Sequence, residues 1–218
     1  MGLLWMSESQ DQDIEQLLGR AAEGDQEAST ALFGRFHQRL IKMVRLRMDR
    51  RLKGRVDAED IVQEAYLDAS KRLASYAAQP AMSVFLWLRF LAAQKLIDAQ
   101  RHHLGVDKRN AELEVSLYRG PMPEATSASL AAHLLGRLTS PSLAAIRAET
   151  QLKVQDVLNA MDPIDREVLV LRHFEHLSNG EVAELLTLSK SAASKRYIVA
   201  IKRLRATLAN VPGFEDRM

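Results

Sequence analysis

An all-α fold of two small helical domains, joined by a flexible linker, is what this sequence predicts. Three observations carry that prediction. Punctuation is sparse, with Gly 10 and Pro 6 among 218 residues. Ala, Leu, Arg, Glu and Gln fill much of the rest, and these residues lose least on entering a helix. Apolar residues recur at three and four, and no alternating β-branched run reaches strand length. A composition of 47% hydrophobic and 27% charged residues belongs to an ordinary folded chain and excludes global disorder.

The elements follow in order. Residues 13–55 read as two helices broken near Gly24, and residues 57–103 as two more, broken by the loop Ser75–Ser83 with its Pro80. Together they make a first domain, 1–103. Residues 104–147 change character: Pro, Ser and Ala are frequent and the periodicity is weak, which predicts a linker. Within it, Ser127–Leu138 has the pattern of a short helix. A second domain, 148–218, holds a helical unit over 148–210.

The second domain carries the sharpest local signals. Asp162-Pro163-Ile164-Asp165 is a helix start, with Asp at the N-cap and Pro at the first helical position. Val168, Leu169 and Leu171 follow as core residues, and His173–Leu177 breaks the pattern. Ser178-Asn179-Gly180-Glu181 fits a capping box and opens a short helix that turns Val182, Ala183, Leu185 and Leu186 inward. Thr187-Leu188-Ser189 makes a tight connection to a longer helix, Lys190 to Leu208, with Ala193, Tyr197, Ala200, Ile201 and Leu204 on its apolar side. A short helix, a three-residue turn and a longer basic helix form a helix-turn-helix, whose second helix enters the major groove of DNA. Lys190, Arg196, Lys202 and Arg203 are the phosphate candidates; Ser194 and Lys195 are the base readers.

Charge is informative in its distribution, since the formal net charge is only +2. Residues 39–55 are basic, with Arg39, Lys42, Arg45, Arg47, Arg50, Arg51, Lys53 and Arg55 against Asp49 alone. Residues 57–68 are acidic, with Asp57, Glu59, Asp60, Glu64 and Asp68 and no base, whereas 186–209 carry bases and no acid. Such blocks suit separate acidic and basic contact surfaces. Cysteine is absent, which excludes disulfides and thiolate chemistry and fits a reducing cytoplasm. No apolar run approaches the roughly 18 residues of a membrane span. The opening Met-Gly-Leu-Leu-Trp-Met lacks the basic flank of a signal peptide, and Met6 is a second candidate start. A cytoplasmic location is expected, with no membrane insertion.

Asp57-Ala58-Glu59-Asp60-Ile61-Val62-Gln63-Glu64-Ala65-Tyr66-Leu67 is an amphipathic helix that leaves Glu59, Gln63 and Glu64 outside. Beyond the loop, FLWLRFLAAQKLID runs from Phe85 to Asp98. With these segments and the helix-turn-helix LSNGEVAELLTLSKSAASKRYIVAIKRL, the chain resembles the extracytoplasmic-function (ECF) branch of the bacterial sigma-70 family. DAEDIVQEAYL is similar to the acidic helix by which that family docks on core RNA polymerase. FLWLRFLAAQKLID resembles its promoter helix, F-x-x-W-L-x-x-I-A-x-N-x-x-x-D.

The resemblance covers residues 13–103 and 148–210 and implies a promoter-specific initiation factor without enzymatic activity or cofactor. Asp57, Glu59, Asp60, Gln63 and Glu64 would bind the clamp of the largest polymerase subunit. Tyr76, Arg89 and Gln94 would face the −10 element, held as single strand with a base flipped out at the Ser75–Ser83 loop. The −35 duplex would meet Lys190, Ser191, Ser194, Lys195, Arg196, Ile198, Val199, Lys202 and Arg203. Gln94 stands where the family has Asn. Ile198 and Val199 are apolar where relatives often carry aromatic or basic residues, so contact with a thymine methyl becomes available. Members commonly have an anti-sigma factor, so the resemblance admits one.

Two other readings compete. A free-standing dimeric helix-turn-helix regulator leaves the acidic helix and the loop before Trp87 unexplained. A small metallohydrolase would use Asp57, Asp60, Glu64, His102 and His103. However, acids at a helix start are favoured by the dipole, and consecutive histidines point about 100° apart. No metal site is therefore expected.

Overall fold

The computed structural model describes residues 4–52, 54–104, 125–136 and 144–209. Every regular element among them is helical: α1 Leu4–Ala22, α2 Gln26–Arg47, α3 Ala58–Ala78, α4 Val84–Leu104, α5 Ser127–Gly136, α6 Ala144–Asn159, α7 Pro163–Leu169, α8 Asn179–Leu186 and α9 Lys190–Leu208. A 3₁₀ turn at Arg50–Leu52 precedes α3, and a π turn at Val170–Phe174 follows α7. They form two units. One takes the residues up to Met122 except Leu46–Met48; the other takes those three and the residues from Pro123 onward.

The first unit is built on local signals that the sequence displays. Gly24, at φ +97°, lets the chain turn after α1, and Asp25 then caps α2 by accepting from the Ala28 amide at 3.0 Å. Along α2, Ala28, Leu32, Phe36, Leu40, Met43 and Val44 are buried at helical spacing. Asp57 is the N-cap of α3, which buries Ile61, Val62, Ala65, Ala69, Leu73 and Tyr76. Helix α4 opens apolar on all sides, from Val84 to Leu88.

Helices α3 and α4 run antiparallel. Tyr76 stacks on Trp87 with ring centroids 4.2 Å apart, and Asp68 meets Lys95 at 3.7 Å, which fixes the register at two levels. The loop between them is shorter than expected: Ser75–Ala78 form the last turn of α3, leaving Gln79–Ser83. Burial of Tyr76 continues the spacing set by Ala69 and Leu73, and that packing overrides the loop-like composition. The helix stops at Gln79, the residue before Pro80, where the α conformation is disfavoured.

In the second unit, α5 and the start of α6 occupy part of the stretch expected as linker. Ala125, Leu130, Ala131 and Leu134 join Val154, Leu158, Met161, Leu169, Val170, Phe174, Ala200 and Leu204 in one core. Thr126 caps α5, accepting from the Ser129 amide at 3.1 Å. The remainder of the expected linker, 105–124 and 137–143, lies outside the described residues, as do 1–3, Lys53 and 210–218.

Candidate nucleic-acid interface

The helix-turn-helix is assembled by hydrogen bonds that the sequence encodes residue by residue. Asp162 accepts from the amides of Ile164 and Asp165 at 2.9 and 3.3 Å and starts α7. Ser178 and Glu181 close the capping box of α8: the Glu181 amide donates to Ser178 Oγ at 3.1 Å, and the Ser178 amide to Glu181 Oε2 at 2.7 Å. Thr187 ends α8 in the left-handed conformation, φ +55°, and the Leu188 amide reaches back to the Ala183 carbonyl at 2.8 Å. Ser189 then caps α9 through the Ala192 amide at 3.1 Å. Asn179 Nδ2 donates to the Lys190 carbonyl at 2.8 Å, tying the start of α8 to the start of α9. Buried Ala183 and Ala193 allow the helices to lie close.

This packing fixes which residues α9 presents. Lys190, Ser191, Ser194, Lys195, Lys202 and Arg203 are exposed, while Ala193, Ala200 and Leu204 are buried. Ile198 and Val199 stand 46% and 43% exposed on the outer face, a placement for large aliphatics that the core does not explain. Arg196 departs from the expectation of a phosphate contact. Its guanidinium meets Asp165 at 2.6 Å and Asp162 at 3.3 Å, and the Asp165 hydrogen bond is the main influence raising its pKa. It thereby joins α9 to the start of α7.

The first unit carries the acidic surface. Asp57, Asp60, Gln63 and Glu64 are exposed, and Glu59 is half-buried beneath Arg45 at 2.5 Å. Hydrogen bonds with Glu59, by side chain and amide, hold the Asp57 carboxyl below the usual aspartate range. Asp60, Gln63, Glu64 and Leu67 share one helical stripe. Leu67, 58% exposed, is the stripe's apolar member, and the sequence reading passed over it. Its spacing of seven from Asp60 was the available signal. Beside the stripe, Tyr66 stacks on Phe33 at 4.8 Å and donates to the Phe33 carbonyl at 2.9 Å. Burial pushes its phenol pKa upward.

The three residues expected at the −10 element are placed differently from one another. Tyr76 is not an exposed stacking platform: Trp87 covers one ring face, and its hydroxyl donates to the Met82 carbonyl at 2.6 Å. Arg89 is inside the unit, 3% exposed, because the first half of α4 is buried all round. Gln94 is half-buried. Among the described residues no three His, Asp or Glu side chains gather as a metal set, and no helix is long and apolar enough to cross a membrane.

An all-helical chain with an exposed basic recognition helix in one unit and an acidic stripe in the other is a helix-turn-helix protein of two-unit design. The ECF sigma factor family model matches residues 11–210, and the chain belongs to that family. It is 32% identical over 155 residues to the probable RNA polymerase sigma factor RfaY of Xanthomonas campestris pv. campestris, covering 70% of this chain and 33% of that one. The chain thus spans about a third of that relative's length. With the RNA polymerase sigma-H factor of Pseudomonas aeruginosa it shares 25% identity over 178 residues, 82% of this chain and 84% of that one. Among solved structures, CnrH in complex with the cytosolic domain of CnrY has the same fold, with a TM-score of 0.51 at 23% identity over 90% of this chain and 97% of that one.

Proposed function

We propose that this chain binds core RNA polymerase and directs it to promoters by recognising a −35 duplex and a melted −10 element. Family membership supports the general role. The observation that carries the particular reading is the exposed stripe Asp60–Gln63–Glu64 on a helix held rigidly by its buried face. The stripe docks on the polymerase clamp, with Asp57 and Glu59 at its start. In the second unit, α9 lies in the major groove of the −35 element: Lys190, Lys202 and Arg203 meet phosphates, and Ser191, Ser194, Lys195, Ile198 and Val199 face the bases. In the first unit, the loop Gln79–Ser83 and Gln94 hold the −10 strand. Tyr76 supports the loop from beneath through Met82, and Arg89 supports α4 from within. The protein acts without a cofactor or catalytic step. CnrH was solved with the cytosolic domain of CnrY, and an anti-sigma partner is part of the same proposal here.

The test is docking. Asp60→Lys with Glu64→Lys leaves the helical circular dichroism unchanged and weakens binding to purified core polymerase about tenfold or more. Unchanged binding refutes the assignment. A dimeric operator-binding regulator would show no core binding in the wild type either.

A further inference from the structure

We propose that the end of the first unit remote from the Gln79–Ser83 loop is a second, sequence-independent DNA surface, where Arg50, Arg55 and Arg101 hold phosphates of the duplex flanking the −10 element. The proposal rests on the sigma-factor reading and adds a contact region to it.

The basic block at 39–55 is otherwise unexplained, and the fold sorts its members. Arg39 lies over the Phe85 ring at 3.6 Å, Arg45 pairs with Glu59, and Arg51 shares Asp49 at 2.8 Å. Arg50 and Arg55 are exposed and have no ion pair among the described residues. They are displayed on a rigid mount. Leu52, between them, is fully buried, and its carbonyl accepts from the amides of Arg55 and Val56 at 2.9 and 3.2 Å. Gly54, at φ +81°, completes the turn in a conformation that other residues resist. A pre-organised turn loses little further freedom when it binds.

The antiparallel register brings a third arginine to the same end. Tyr76 lies level with Trp87 and Asp68 with Lys95, so Arg101 lies level with Val62, in the second turn of α3. The turn Arg50–Leu52 itself packs against α4. Arg101 is exposed and has no ion pair among the described residues. The acids nearby are committed or outnumbered: Asp49 holds Arg51, Asp57 caps α3, and Asp98 is the one exposed acid a turn before Arg101. Arginine suits this task because its planar fork matches phosphate oxygens. The surface flanks α4, the helix that the functional reading places on the promoter, which favours DNA over an acidic protein as its occupant.

The experiment uses reconstituted holoenzyme and a promoter fragment selected with it. Each neutralised phosphate contributes roughly 0.9 to the slope of log affinity against log salt. Arg50→Ala with Arg55→Ala reduces that slope by roughly 2, so the loss of affinity between 50 and 200 mM salt becomes roughly tenfold smaller. Core binding is unchanged, and Arg50→Lys with Arg55→Lys restores the slope. A slope equal to wild type, with core binding intact, overturns this proposal alone. A slope equal to wild type with weakened core binding assigns the surface to polymerase and also overturns it. Failure of the wild type to bind core polymerase overturns the functional reading instead.

Discussion

Leu130→Ala tests whether α5 belongs to the core of the second unit or is merely part of a tether. Leu130 is fully buried, and its neighbours Ala131 and Leu134 join the same cluster with Val154, Leu158 and Phe174. Truncating such a leucine removes its transfer free energy and leaves a cavity, and together these cost about 2–5 kcal/mol. A ten-residue helix is not stable in water alone, so α5 exists only through this packing. Native-state hydrogen exchange, read by mass spectrometry on separate peptides, resolves the two units without requiring one unfolding transition. Opening of α6 and α9 becomes easier by at least about 2 kcal/mol, a roughly 30-fold rise in exchange rate, while α3 and α4 are unaffected. Leu152→Ala is the matched control: the same residue type on α6, 61% exposed, with an expected change under about 0.5 kcal/mol. If Leu130→Ala and Leu152→Ala behave alike, α5 carries no core packing and the stretch 104–147 is a tether after all.

Two other outcomes follow from particular contacts. If Ile198 and Val199 pack on thymine methyls, replacing thymine by deoxyuridine in the −35 duplex weakens wild-type holoenzyme and leaves Ile198→Ala/Val199→Ala indifferent; equal losses in both remove the methyl contact. Asp25 has its pKa lowered, first by the Ala28 amide and then by the Arg20 side chain. Its stabilising contribution is therefore present above the ordinary aspartate value of roughly 4 and is lost as pH falls through the lower folded value. Asp25→Asn flattens the acid limb of the first unit's melting temperature against pH; an identical limb shows the carboxylate is not the group responsible.

Much of the fold was legible because its signals are local. Asp162 with Pro163, and Ser178 with Glu181, each meet partners within three residues, so sequence spacing alone announces the helix starts. The exposed acids of α3 were legible for the same reason, being what its apolar periodicity leaves outside. The misplacements involve residues whose surroundings come from elsewhere in the chain. Arg196 reads as one more base on a basic helix, yet its partners lie 31 and 34 residues away. Arg89 reads as a polar outward residue, but α4 is enclosed along its first half. Helix α5 has a small-residue composition that propensity scores weakly, and burial against α6 decides it. Tyr76 extends α3 into the expected loop because Trp87, eleven residues on, supplies a ring to stack against.

Arg196 and Leu67 together show why charge alone misleads at such surfaces. On α9, counting bases would give Arg196 the same role as Lys195, although one guanidinium is already spent on Asp162 and Asp165 and the other cation faces solvent. Moving Arg196 onto a phosphate would leave Asp165, mostly buried, without its partner, and that cost opposes the rearrangement. On α3, counting acids overlooks Leu67, the residue on the stripe with most apolar surface to bury. Charges at a rim mainly steer encounter and register, whereas apolar side chains closed off from water supply affinity. The acidic residues of α3 thus set how the helix approaches its partner, and Leu67 gives that contact an apolar centre.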